Sequence, residues 1–156
     1  MTYSRIFGLT MALALAAAGV WSSPARAQAV PRALRGQIIT SRQSIDIPTS
    51  NRGFVKKLRK QDRNTFKKDA EGKWVLYFVA FFKRGLPADS MGVVVLDAKQ
   101  EPVAVAEVGG KKGQRTLSSR IVVDTTETPG QKHTLQVYYP RGNKPVVLAK
   151  KKILLE

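Results

Sequence analysis

From Lys73 to the end of the chain, short apolar and β-branched runs are cut by turn signals about every 8–12 residues, and no long stretch carries helical periodicity. WVLYFVAFF is followed by GLPADS, MGVVVLD by AKQEP, and PVAVAEV by GGKKG. QRTLSSRIVVD then leads to TTETPG, and KHTLQVYY to PRGNKP, before VVLAKKKILL closes the series. Gly, Pro, Asp and Asn at these breaks supply the backbone freedom and local hydrogen bonds that reverse a chain within a few residues. Upstream, QIITSRQSIDI reads as a first strand stopped by Pro48, with PTSNRG as its turn. The pattern predicts an all-β protein, an antiparallel β-sandwich of about seven or eight strands. A transmembrane barrel is disfavoured, because its lipid face needs regular alternating strands flanked by aromatic girdles.

One segment departs from this rhythm. In GFVKKLRKQDRNTFKKDAEGK, Phe54, Val55 and Leu58 fall at i, i+1 and i+4, which suits a short helix over residues 53–61. Asn64 and Thr65 would end it, leaving Thr65–Lys68 as a short strand that Asp69-Ala70-Glu71-Gly72 turns into the Trp74 run. An extended course is the alternative.

The Trp74 run poses a question of cover. A strand with one wet face alternates apolar and polar residues, and this one does not. Trp74, Leu76, Phe78, Ala80 and Phe82 share one face, while Val75, Tyr77, Val79 and Phe81 share the other. One set belongs to the core. The other is covered by Phe54, Leu58 and Phe66, or is left partly wet, or else is a partner-binding face made of Val75, Tyr77, Val79 and Phe81.

TPGQKHTLQVYYPRGNKPVVLAKKKILL, residues 128–155, resembles the final hairpin of immunoglobulin-like and fibronectin-type-III-like domains. There too, Pro-Gly precedes a strand of alternating hydrophobics and a short loop returns to an edge strand. The resemblance implies an immunoglobulin-like sandwich and carries no functional residues, because that fold hosts many unrelated tasks. The Cys–Trp–Cys pattern of antibody domains is absent, since the chain has no cysteine.

The first residues read as an address. MTYSR gives a basic start, IFGLTMALALAAAGVW an apolar stretch, and SSPARAQA a run of small residues that fits cleavage after Ala27 or Ala29. The expected organisation is a signal peptide at 1–27, a flexible leader at 28–36 and one domain at 37–156, released to the periplasm or medium of a bacterium. Such a domain is long enough to bury a core without disulfides.

Catalytic chemistry is thinly supplied. The single histidine, His133, stands beside Lys132 at the start of a strand and reads as a surface residue. Ser118 and Ser119 lie mid-strand without a nucleophile elbow. Asp97 with Glu101, and Asp124 with Glu127, flank turns whose chemistry explains them. GGKKG lacks the strand-to-helix setting and the Ser/Thr of a phosphate-binding loop. The sequence therefore predicts no catalytic residue, no metal and no cofactor, and ranks a small hydrolase last.

Charge is the chemical signal of substance. Lys and Arg number 27 against 11 Asp and Glu, a net charge of +16. The densest part is a basic strip of Lys56, Lys57, Arg59, Lys60, Arg63, Lys67 and Lys68, with Lys150, Lys151 and Lys152 as a second cluster. The reading is an exported non-enzymatic interaction or structural module whose strip meets an acidic protein or an anionic envelope component. The alternative is a polyanion-binding protein for lipopolysaccharide or cell-wall polymers. Nucleic acid comes last, as no recognised nucleic-acid-binding motif is present.

Overall fold

The computed structural model describes residues 30–47, 53–124, 129–142 and 144–156. The leader read at 1–27, the turn at 48–52 and Glu127 lie outside the described residues. Eight described strands are β1 (Ile38–Ser41), β2 (Thr65–Phe66), β3 (Trp74–Phe81), β4 (Ser90–Leu96), β5 (Pro102–Gly109), β6 (Thr116–Val123), β7 (Gln131–Arg141) and β8 (Lys144–Leu155). A short helix, α1 (Phe54–Gln61), stands where the Phe54/Leu58 spacing predicts it.

The strands form two sheets. Sheet A has the order β1-β3-β6, and sheet B the order β2-β8-β7-β4-β5. The all-β expectation holds, with two refinements. β2 runs parallel to β8, pairing Thr65 with Leu154 and Phe66 with Leu155, so the sheets are not wholly antiparallel. Sheet B also curls into a half-barrel. Register shifts at Val137/Tyr138 and Val95/Leu96 lie within it, and such bulges increase local twist and bend a sheet.

Side-chain alternation builds the core between the sheets. Trp74, Leu76, Phe78, Ala80 and Phe82 face inward with Leu117, Ile121 and Val123 of β6, as their shared parity predicts. Met91, Val93 and Val95 of β4 meet them from sheet B, with Leu135, Val137, Ala149, Ile153 and Leu155. The Trp74 indole N–H donates to the Glu156 carbonyl at 2.8 Å, and the Lys68 ammonium sits 4.4 Å from its ring centroid.

The Val79 and Phe81 half of the other face of β3 is closed by its own chain. A second core gathers Val79 and Phe81 with Ile39, Ile45, Phe54, Leu58, Val30 and Leu34. Phe54 meets Phe81 edge to face, ring centroids 6.2 Å apart at 80°. An eight-residue helix is marginal alone. Phe54 and Leu58, one turn apart, hold α1 against the sheet while its basic residues point to solvent.

Three expectations change here. Residues 30–36 are not a loose leader. Arg32–Leu34 forms a 3₁₀ turn, Gly36 N–H donates to the Phe81 carbonyl at 2.6 Å, and Val30 and Leu34 are buried because they complete the cover over β3. Phe66 does not join that cover; β2 carries it into the core between the sheets. Val79 and Phe81 are buried, which removes them from any partner-binding face, while Val75 and Tyr77 are half-buried.

Candidate binding surfaces

Four cations of the predicted strip share the exposed side of α1. Lys56, Lys57, Arg59 and Lys60 are all exposed, and Val55, Lys56, Arg59 and Lys60 line an open groove of about 500 Å³. Arg63 lies just past the helix, donating to the Lys60 and Asp62 carbonyls at 3.0 and 2.9 Å. Cations at this end meet the negative pole of the helix dipole.

The one carboxylate among residues 53–68 does not neutralise them. Asp62, the C-cap of α1, turns inward to accept from the Thr40 amide at 2.9 Å and from the Lys151 ammonium. Burial pushes the Lys151 pKa down, and the hydrogen bond and charge of Asp62 offset part of that. Among the described residues, Lys56, Lys57, Arg59, Lys60 and Arg63 have no carboxylate partner within ion-pair distance.

The rest of the strip separates. Lys67 and Lys68 follow β2, where Lys68 covers Trp74. The terminal cluster separates too. Lys151 is drawn inward to Asp62, whereas Lys150 and Lys152 alternate onto the outer face of sheet B.

His133 is buried, a correction to its reading as a surface residue. It shares the inward parity of Leu135 and Val137, and its Nδ1 lies 3.0 Å from the Gln131 carbonyl. Asp97 accepts from the amides of Lys99 and Glu101, both at 2.8 Å, closing the β4–β5 turn. In GGKKG, the Lys112 amide donates to the Asp89 carboxylate at 2.8 Å, so the loop is tied to GLPADS. Ser118 and Ser119 line a groove of about 290 Å³ with Ser44, Ile45, Tyr77, Phe78 and Arg120. Among the described residues, no three His, Asp or Glu side chains gather as metal ligands.

A surface that sequence reasoning passed over lies on sheet B. The MGVVVLD run is apolar on both parities, like the β3 run. Val94 and Leu96 point away from the core on β4, beside Val105 on β5, which is 63 % exposed. The signal was present in the same lack of alternation.

No family model, curated protein or solved structure matches this chain.

Proposed function

We propose that this protein is an exported, non-enzymatic binding module that docks on acidic macromolecules through the exposed side of α1. Export rests on the leader-like sequence of residues 1–27. An immunoglobulin-like sandwich of the fibronectin type III kind is part of the proposal. The order β1-β3-β6 against β8-β7-β4 supports it, being that of strands A-B-E against G-F-C, with β5 beside β4.

The observation that carries the reading is the inward turn of Asp62. Among the described residues, it leaves five cations on and beside one short helix with no carboxylate within ion-pair distance. Along the helix axis, Lys56 to Lys60 span roughly 6 Å, within the Debye length of about 8 Å at physiological salt. Charges that near act on an approaching polyanion together.

The test is binding to immobilised poly-L-glutamate and heparin across a salt series. The quadruple variant Lys56→Glu, Lys57→Glu, Arg59→Glu, Lys60→Glu should bind at least about tenfold more weakly, with a melting temperature close to that of the parent. Unchanged affinity removes the proposal. A dedicated protein partner that also covers Val55 should hold on at moderate salt, whereas attraction by charge alone should fade steeply.

A further inference from the structure

The outer face of sheet B has two halves. On β4 and β5 it is mostly apolar: Val94 lies opposite Val105, and Gly92 lies between Tyr138 of β7, whose ring fills the space above the glycine, and Glu107 of β5, an exposed carboxylate that accepts from the Ser90 hydroxyl. Tyr138 in turn lies opposite Val147 of β8, which is 45 % exposed. On β7 and β8 the face is cationic, with Lys150 opposite Gln136, Lys152 opposite Thr134, and Lys132 opposite Leu154. All three lysines are exposed, and the hairpin end adds Arg141 and Lys144. The one described α-helix packs against β1, on the other side of the molecule, over sheet A.

We propose that this face docks on an anionic lipid membrane surface. A soluble polyanion would satisfy the lysines and leave Val105, Val147 and the Tyr138 ring in water. A second copy is disfavoured, because two chains of net charge +16 would bring both sets of lysines onto one interface. Anionic head groups meet the lysines while the interfacial layer takes up valines and an amphipathic tyrosine ring. The proposal concerns a different face from α1 and stands apart from the preceding reading.

Co-sedimentation of the chain with phosphatidylglycerol-containing vesicles, against pure phosphatidylcholine vesicles, tests it. Binding is expected to the first and to be at least about tenfold weaker to the second. Lys150→Glu with Lys152→Glu should weaken binding by about tenfold or more, and Val105→Asp with Val147→Asp by about tenfold. The four α1 reversals should cost less than the β8 pair, although they change twice as many charges. Should either exchange at valine lower the melting temperature, the lysine pair, being exposed, still decides. Equal binding to both vesicle types overturns the proposal, as does parental binding by the lysine pair. Greater damage from the α1 reversals than from the β8 pair would assign adsorption to α1 instead. A dimer that Val105→Asp with Val147→Asp dissociates, with vesicle binding intact, would assign the face to a second copy.

Discussion

Lys151 of β8 donates to the carboxylate of Asp62, the residue that ends α1. The same carboxylate accepts from the Thr40 amide at 2.9 Å, and the Arg63 amide returns a bond to the Thr40 carbonyl at 2.7 Å. One carboxylate thus joins the helix to an edge strand of sheet A and to sheet B. The Lys151 side chain is 11 % exposed, so its charge depends on that partner. Asp62→Asn should lower unfolding free energy by about 1–3 kcal/mol, because a largely buried ammonium loses its counter-charge. Adding Lys151→Met to Asp62→Asn should restore part of the loss. Strict additivity in a urea-denaturation double-mutant cycle would contradict the linkage.

The same lysine sets a pH dependence. Desolvation lowers its folded-state pKa below the ordinary 10.5, with Asp62 opposing. In the window between that lowered value and 10.5, the unfolded chain binds more protons than the folded one, so stability rises with pH. Below the window the burial cost is paid in full. Parent minus Lys151→Met isolates this lysine from the others that titrate nearby. The difference in unfolding free energy should move in favour of the parent as pH climbs through the alkaline range below 10.5. A flat or falling difference would show that the ammonium is not desolvated.

Local patterning made part of this architecture legible. Phe54 and Leu58, spaced one turn apart, located α1, and the parity of Leu117, Ile121 and Val123 oriented β6. His133 carried the inward parity of Leu135 and Val137, but its neighbour Lys132 suggested a surface. Long-range pairing was not legible. No local signal says that β2 lies parallel to β8, since residues 65–66 and 154–155 meet only once the sandwich closes. The basic strip was visible as composition, but its division was not. Asp62 and Lys151 are far apart in sequence, and only their contact shows which charges remain for solvent. Val30 and Leu34 escaped notice for a similar reason: their packing surface is β3, distant in the chain.

Phe81 closes the outer side of β3, and its exposure is 1 %. Phe81→Ala should cost about 3–5 kcal/mol, the range for removing a buried aromatic ring. Phe81→Asp should leave no folded monomer, since a carboxylate there would be buried among Phe54, Leu58 and Leu34 without a partner. Circular dichroism and gel filtration decide it. A folded Phe81→Asp monomer with native melting would mean that α1 does not cover the strand.

Phe54→Ala and Leu58→Ala separate the helix from the sheets. Both residues hold α1 down, and neither belongs to the core between the sheets. Each should cost about 2–5 kcal/mol and raise amide exchange in α1 before exchange in β7 and β8. Uniform acceleration across all strands would indicate one cooperative unit instead.

Gly85 brings the backbones of two loops close together at one end of the sandwich. A Cβ there would lie 2.7 Å from the Gly113 carbonyl oxygen and 2.8 Å from its Cα, with backbone on both sides and no flexible side chain to yield. Around it, Leu86 N–H donates to the Gln114 carbonyl at 2.7 Å, and Gly113 N–H to the Leu86 carbonyl at 2.9 Å. Gly85→Ala should therefore push the GLPADS and GGKKG loops apart and cost about 1–3 kcal/mol. Gly109→Ala is the matched control, because its Cβ would meet nothing within 4 Å and its φ is not positive. That variant should stay within about 0.5 kcal/mol of the parent. Hydrogen exchange adds a local readout: the Leu86 and Gly113 amides should lose protection in Gly85→Ala and keep it in Gly109→Ala. Equal stability of the two variants would show that the loops can separate without cost.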